Sequence, residues 1–221
     1  MTDSTWHDLA LLLCYWLAYF ILHSVLASLG IKHRTALARP ALMPAYRLAF
    51  NSLSLLLLLP ILWHMFQHPG PVLWQWQGIG AWLANGLSLL ACLAFIHSLK
   101  YYDIQEFLGL RQLRERTRKV EDQEHFHLSP FHRFVRHPWY FFGLILVWTR
   151  DMNAAMLLSS TMITLYFVIG SKLEEKKLLI YHGDAYRQYM KRVPGLIPLP
   201  WKHLSAKEAQ EMLARTKHSA E

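Results

Sequence analysis

The chain has 221 residues, 53% of them hydrophobic, with nine tryptophans and a formal charge of +8. That length suits one membrane domain and leaves no room beside it for a large soluble core. The basic residues flank apolar runs, which argues for anionic lipid as the partner and against nucleic acid. The only cysteines, Cys14 and Cys92, lie inside apolar runs and offer neither a disulfide framework nor zinc spacing.

Crossing the hydrocarbon takes about 20 apolar residues in a helix. The first run, 6–29, follows Asp3 and Asp8 with no small-residue cleavage site after it, so it is expected to be a retained helix and not a signal peptide. The second and third runs, 45–65 and 79–99, are separated by a turn at His68-Pro69-Gly70-Pro71. A fourth run, 139–149, stops at Arg150-Asp151. Its eleven residues reach only about 16 Å as helix, short of a core about 30 Å thick. This helix must start earlier, tilt, or belong to a hairpin that does not fully cross; the favoured reading is a hairpin turning at Arg150-Asp151-Met152-Asn153. A fifth run covers 153–170.

Basic residues set the orientation. The first connection holds Lys32, Arg34 and Arg39, the second none, and the third Lys100, Arg111, Arg114, Arg116, Arg118, Lys119, Arg133 and Arg136. Alternate connections are therefore basic, as about five passes require, with the N-terminus outside, the C-terminus cytoplasmic and Arg150 the exception. The expected fold is all-α and polytopic, a membrane-embedded domain over 1–204 with a polar tail over 205–221. In that tail Ser205 caps a short helix with Glu208 in the capping-box place. Glu115, Arg116, Arg118, Lys119, Glu121 and Asp122 read as a solvated loop or surface helix, and 196–201 as an interfacial segment.

Two polar segments fall on the cytoplasmic side. One runs from His127 through His132, Arg133, Arg136 and His137 to Tyr140; the other holds Glu174-Glu175 and then Asp184, Tyr186 and Tyr189. The hairpin brings a cationic, imidazole-bearing loop to a carboxylate pair. Such a site suits a ligand that carries both charges and an aromatic ring: carboxylates for ribose hydroxyls or an amine, Arg136 or His137 for an anion, and Tyr140, Tyr186 or Tyr189 against a cation. S-adenosylmethionine makes those demands. The same residues also read as membrane anchors and a solvated helix end.

The order Arg136-His137-Pro138-Trp139-Tyr140, a short hairpin, Glu174-Glu175, Gly183-Asp184-Ala185-Tyr186-Arg187-Gln188-Tyr189 and Val193-Pro194-Gly195-Leu196-Ile197-Pro198 resembles the isoprenylcysteine carboxyl methyltransferase superfamily. The front half, with His23-Ser24, Tyr46-Arg47-Leu48 and Phe107-Leu108-Gly109-Leu110-Arg111-Gln112, is similar to its bacterial branch of thiol S-methyltransferases and NnrU-like proteins. The resemblance implies an integral membrane enzyme of the bacterial inner membrane. It would bind S-adenosylmethionine through Arg136, His137, Tyr140, Glu174 and Glu175 from the cytoplasm and admit its acceptor from the lipid side. Many relatives have Tyr-Arg where this chain has His132-Arg133.

Methyl transfer to a small thiol, or to a lipophilic thiol or carboxylate, asks the protein to align two reactants and exclude water. No metal is needed. A thiol is helped by positive charge that favours thiolate, for which Arg136, Arg133 and His97 are candidates; Arg136, His137 and Arg133 are the expected catalytic set. His23, Asn51 and His97 are candidate walls of an acceptor pocket, or else bond neighbouring helices. His64 reads as interfacial and structural. The alternatives are a non-catalytic NnrU-like membrane protein, a phospholipid N-methyltransferase, and a b-type haem carrier ligated by His23 and His97.

Overall fold

The computed structural model describes residues 3–118, 120 and 128–218, so Lys119, Glu121, Asp122, His127 and the last three residues of the tail lie outside it. The described chain is helical, with one two-stranded ribbon. Four helices are long and apolar enough to cross a membrane, as an integral membrane protein requires. The chain divides into two compact units, one of 1–76, 102–123 and 151–162, the other of 77–101, 124–150 and 163–221.

In the first unit α1 (Asp3–Ala27) packs on α3 (Met43–Gln67), the two joined through α2 (Leu29–Ala38). The Ser28 hydroxyl caps α2 by accepting from Ile31 N, and Tyr46 on α3 donates to the Leu26 carbonyl at 2.7 Å. Leu12, Trp16 and Ile61 are buried, while Leu55, Leu56, Leu59 and Trp63 are exposed, the face a membrane helix turns to lipid. Polar ties bind the inner face: Trp16 Nε1 donates to Ser159 Oγ at 2.9 Å, and Ser159 Oγ donates to Met65 Sδ at 3.1 Å. His64, read as interfacial and structural, is held among protein groups, with Nε2 2.9 Å from the Asp8 carbonyl and its ring edge-on to Tyr15.

The connection after α3 does more than turn. Its strand β1 (Val72–Trp74) pairs antiparallel with β2 (Met152–Asn153), directly before α8 (Ala154–Arg192). The first amides of α8 have no partner inside the helix. Here Ala154 N donates to Pro71 O, Ala155 N to Pro69 O, and Met156 N to Asn153 Oδ1. A turn placed near hydrocarbon must satisfy its backbone in this way.

Two short helices, α5 (Ile104–Leu108) and α6 (Leu110–Arg114), dock on the start of α3. Arg47 Nε and Asn51 Nδ2 both donate to the Phe107 carbonyl, at 3.2 and 2.9 Å. Gly109 between the helices has φ +86°, and a Cβ there would stand 2.5 Å from Leu48 N. Both the left-handed backbone and the close approach demand glycine. Gly109→Ala should lift α5 and α6 from α3 and break the hydrogen bonds of Arg47 and Asn51 to Phe107. Together with the ~1–2 kcal/mol left-handed cost, this should lower the melting temperature by about 5 °C. An unchanged melting temperature would remove Gly109 from this role.

In the second unit α4 (Gly78–Leu99) packs on α7 (Pro138–Trp148). The buried face of α4 is a line of small residues, Ala84, Ser88, Ala91 and Ser98, which lets the helices approach closely. Two polar pairs fix the register. Trp139 Nε1 donates to Ser98 Oγ at 2.7 Å, and Ser88 and Thr149 hydroxyls meet at 2.5 Å. α7 is thus the eleven-residue helix expected from the sequence; it does not start earlier, because Pro130–Arg133 form a 3-10 turn before it. α8 carries the fifth run and continues well past it, broken at Gly183, whose φ is +51°. Beyond the break Tyr186, Tyr189, Val193 and Leu204 form a core with Ala209 of α9 (Ala206–His218). Ser205 and Glu208 make the expected capping box, Ser205 N donating to Glu208 Oε2 and Glu208 N to Ser205 Oγ.

Candidate functional site

The site is built where α7 begins and where α8 turns polar. Proline at the first position of α7 suits a helix start, having no amide to satisfy, and leaves His137 as the residue before the helix. Arg136 N and His137 N donate to the carbonyls of Pro194 and Gly195, at 2.8 and 3.1 Å. The loop is thereby strapped to the chain leaving α8. Ser129, His132 and Arg133 hold it from the other side: Ser129 N donates to His132 Nδ1, Arg133 Nε donates to the Leu204 carbonyl, and the Tyr189 hydroxyl donates to the His132 carbonyl.

Four charges meet there. Oε1 of Glu175 accepts from Arg136 Nε at 2.8 Å, lies 2.7 Å from Arg136 Nη2 and is 3.1 Å from His137 Nε2. His137 Nδ1 lies 3.2 Å from Glu174 Oε2, which the Tyr140 hydroxyl reaches at 3.4 Å. Arg136 also donates through Nη1 to the carbonyls of Met190 and Val193, closing the C-terminal end of α8. Side-chain exposures of 12% for Arg136, 5% for His137 and 10% for Glu175 contrast with 42% for Glu174. Three members are enclosed and one carboxylate faces out.

Both ring nitrogens of His137 face carboxylates, so the imidazolium is the form that satisfies them. Burial alone would lower its pKa from 6.5; the hydrogen bonds and charges of Glu174 and Glu175 outweigh that and raise it to about 9. A raised folded-state pKa stabilises fully below the unfolded value near 6.5, and that contribution is lost as pH rises through about 9. Thermal unfolding followed against pH should therefore show a fall in melting temperature across this window. The fall should vanish in His137→Gln, and its persistence there would assign it to another group.

Beside these charges lies an aromatic stack. His137 and Tyr140 are 5.3 Å apart at 12°, and Tyr140 and Phe167 are 4.5 Å apart at 3°. Phe167 carries no signal in the sequence motifs. Gly143 on the facing helix could have pointed to it, since a Cβ there would come within 3.0 Å of the Phe167 ring. The fold therefore gathers Arg136, His137, Tyr140, Glu174 and Glu175. Arg133 stands behind them, tied to Leu204 and over the ring of Phe134. Tyr186 and Tyr189 are 2% exposed and pack in the core beside the site; the Tyr186 hydroxyl reaches Arg136 and lies near Glu175, so it borders the charged cluster.

Of the expected acceptor-pocket residues, His97 lies in this unit, edge-on to Phe131 and beside Tyr101. His23 and Asn51 belong to the other unit. His23 stacks on Tyr19 and contacts Phe50, the residue before Asn51.

A site with an outward carboxylate beside flat aromatic rings can bind hydroxyls or an amine at one edge and a planar base or a cation at the other. Comparison with known proteins adds chemistry to this geometry. The chain is 34% identical to Methanethiol S-methyltransferase 2 of Bradyrhizobium diazoefficiens over 81% of its own length and 69% of that protein. It is 32% identical to Methanethiol S-methyltransferase of Crocosphaera subtropica over 58% of its length and 55% of that protein. To Methanethiol S-methyltransferase of Mycobacterium tuberculosis it is 30% identical over 84% of its length and 76% of that protein. No family model matches the chain, and no solved structure matches it.

Proposed function

Because the chain belongs to the methanethiol S-methyltransferase family, we propose that it transfers a methyl group from S-adenosylmethionine to the sulfur of a small thiol, methanethiol being the first candidate. The reading rests above all on the Glu174–His137–Glu175 arrangement, one carboxylate enclosed and the other open, at the polar end of α8. The site is proposed to face the cytoplasm of a bacterial cell from the inner membrane, with the N-terminus outside, following the alternation of basic connections.

The residues present suit S-adenosylmethionine. Glu174 offers carboxylate oxygen for ribose hydroxyls or the amino group, and the Tyr140–Phe167 stack offers aromatic surface against adenine or the sulfonium. Bound there, S-adenosylmethionine supplies a methyl group already activated by positively charged sulfur. Arg136 and protonated His137 hold Glu175 and keep the pocket wall in one geometry. His137, carrying a proton on each nitrogen at neutral pH, is a fixed cation and not a proton acceptor. Alignment and exclusion of water then remain the main catalytic contributions. His97, in the same unit as the charged cluster, stays as a proposed acceptor contact; His23 and Asn51 stay as candidates from the sequence alone.

Purified protein in detergent, given S-adenosylmethionine and methanethiol, should release dimethyl sulfide into the headspace and bind S-adenosylhomocysteine in calorimetry. Donor binding without thioether formation would redirect the proposal to another acceptor, with carboxylates and lipid amines tested next. Absence of both in folded protein, in lipid as well as detergent, would overturn it.

A further inference from the structure

The other end of α7 holds a charge that methyl transfer does not use. Trp139 meets Ser98 and Thr149 meets Ser88, ten residues apart on each helix, so α7 runs antiparallel beside α4 from its last turn to its middle and stops. Ser88 lies ten residues into α4, about 15 Å along a helix long and apolar enough to span. Arg150 follows immediately, with its guanidinium at the level of Asn85 and Ser88. An ionisable side chain at such depth is costly and marks function more often than not.

The hydrogen bonds there have a definite direction. Thr149 Oγ1 donates to the Ile145 carbonyl at 2.7 Å, so its proton is committed, and Ser88 must donate to Thr149. Their lone pairs then accept from Arg150 Nη2, while Asn85 Oδ1 accepts from Nη1 at 3.3 Å. A guanidinium has five N–H donors. Three bonds go to neutral oxygens, Nε is enclosed with no acceptor, and no carboxylate pairs with Arg150 among the described residues. The cluster carries one net positive charge, leaves Nε and the second N–H of Nη1 without an acceptor among the described residues, and opens sideways at the exposed Asn85.

We propose that Arg150, with Asn85, Ser88 and Thr149, forms an anion site for a phosphate oxyanion at the end of α7, separate from the methyl-transfer site. Arginine's planar fork matches the oxygens of phosphate. That chemistry is presented by a phospholipid headgroup drawn in beside the short helix, or by free phosphate from the aqueous phase. The binding is reversible and involves no covalent step.

Full-length wild type and Arg150→Gln, each in detergent, would be melted with inorganic phosphate against chloride at matched ionic strength. Both would also be reconstituted with phosphatidylglycerol and their retained lipids counted by native mass spectrometry. A phosphate-dependent rise of several degrees in wild type only would identify the aqueous source. One extra retained phosphatidylglycerol in wild type only would identify the lipid source. Equal responses of the two proteins in both arms would overturn the site. Should Arg150→Gln not fold, Arg150→Lys keeps the charge without the fork and should bind about tenfold more weakly; affinity equal to wild type would overturn the proposal just as well.

Discussion

Glu175→Gln should abolish measurable S-adenosylmethionine binding and lower the melting temperature by about 10 °C. Oε1 of Glu175 gathers two N–H groups of Arg136 and faces Nε2 of His137, and all three side chains are nearly enclosed. An amide in its place keeps the shape but takes away the carboxylate that Arg136 pairs with and leaves His137 with Glu174 alone. Removing one partner of a buried ion pair costs about 3–5 kcal/mol, and each kcal/mol shifts the melting temperature of a chain this size by roughly 2–4 °C. Glu174→Gln is the informative companion. Its carboxylate is 42% exposed, so its loss should weaken donor binding while leaving the melting temperature within about 2 °C, as a weak exposed pair predicts. Calorimetry and thermal unfolding of both variants decide it. Similar melting of the two would contradict the division into one holding and one binding carboxylate.

His137→Ala should cut the rate of thioether formation by about a hundredfold or more, a change of ~2.7 kcal/mol in activation free energy. The substitution removes the cation that sits between both carboxylates and one ring of the stack with Tyr140. Glu174 and Glu175 then repel across the gap, and the wall facing the donor loses its geometry. His137→Gln separates charge from shape, because it can still hydrogen-bond one carboxylate but carries no proton to lose near pH 9. Initial rates at saturating donor measure the effect. Wild-type turnover in His137→Ala would take the residue out of the site.

Much of this is legible in the sequence because membrane helices announce themselves by length and apolarity. The four long helices and the eleven-residue α7 lie close to the expected runs, and the break at Arg150-Asp151 marks the hairpin. The pairing of His137 with Glu174-Glu175 follows from chain order alone. Other features need coordinates. Tyr186 and Tyr189 stand in a polar stretch, yet the break at Gly183 turns that part of α8 onto α9 and buries both rings. In sequence Arg136 reads as a free cation for a ligand, whereas its guanidinium is spent on Glu175 and the carbonyls of Met190 and Val193. The segments at Tyr46-Arg47-Leu48 and Phe107-Leu108-Gly109 stand far apart in the chain; the Phe107 carbonyl, invisible to any side-chain pattern, is what joins them.

The capping of α8 by the carbonyls of Pro69 and Pro71 bears on how the chain is assembled during synthesis. The segment 68–74 leaves the ribosome some eighty residues before Ala154, so the acceptors for those amides are in place before the helix that needs them exists. α1, α3 and α4 are long enough to enter the bilayer as independent spans. An eleven-residue α7 followed by arginine is not, and it packs on α4, which is made before it. Assembly is therefore expected to be ordered, with the 68–74 segment in place before the start of α8 that it caps. Shortening the 68–74 connection should leave the early helices inserted but the hairpin accessible to protease in freshly translated membranes.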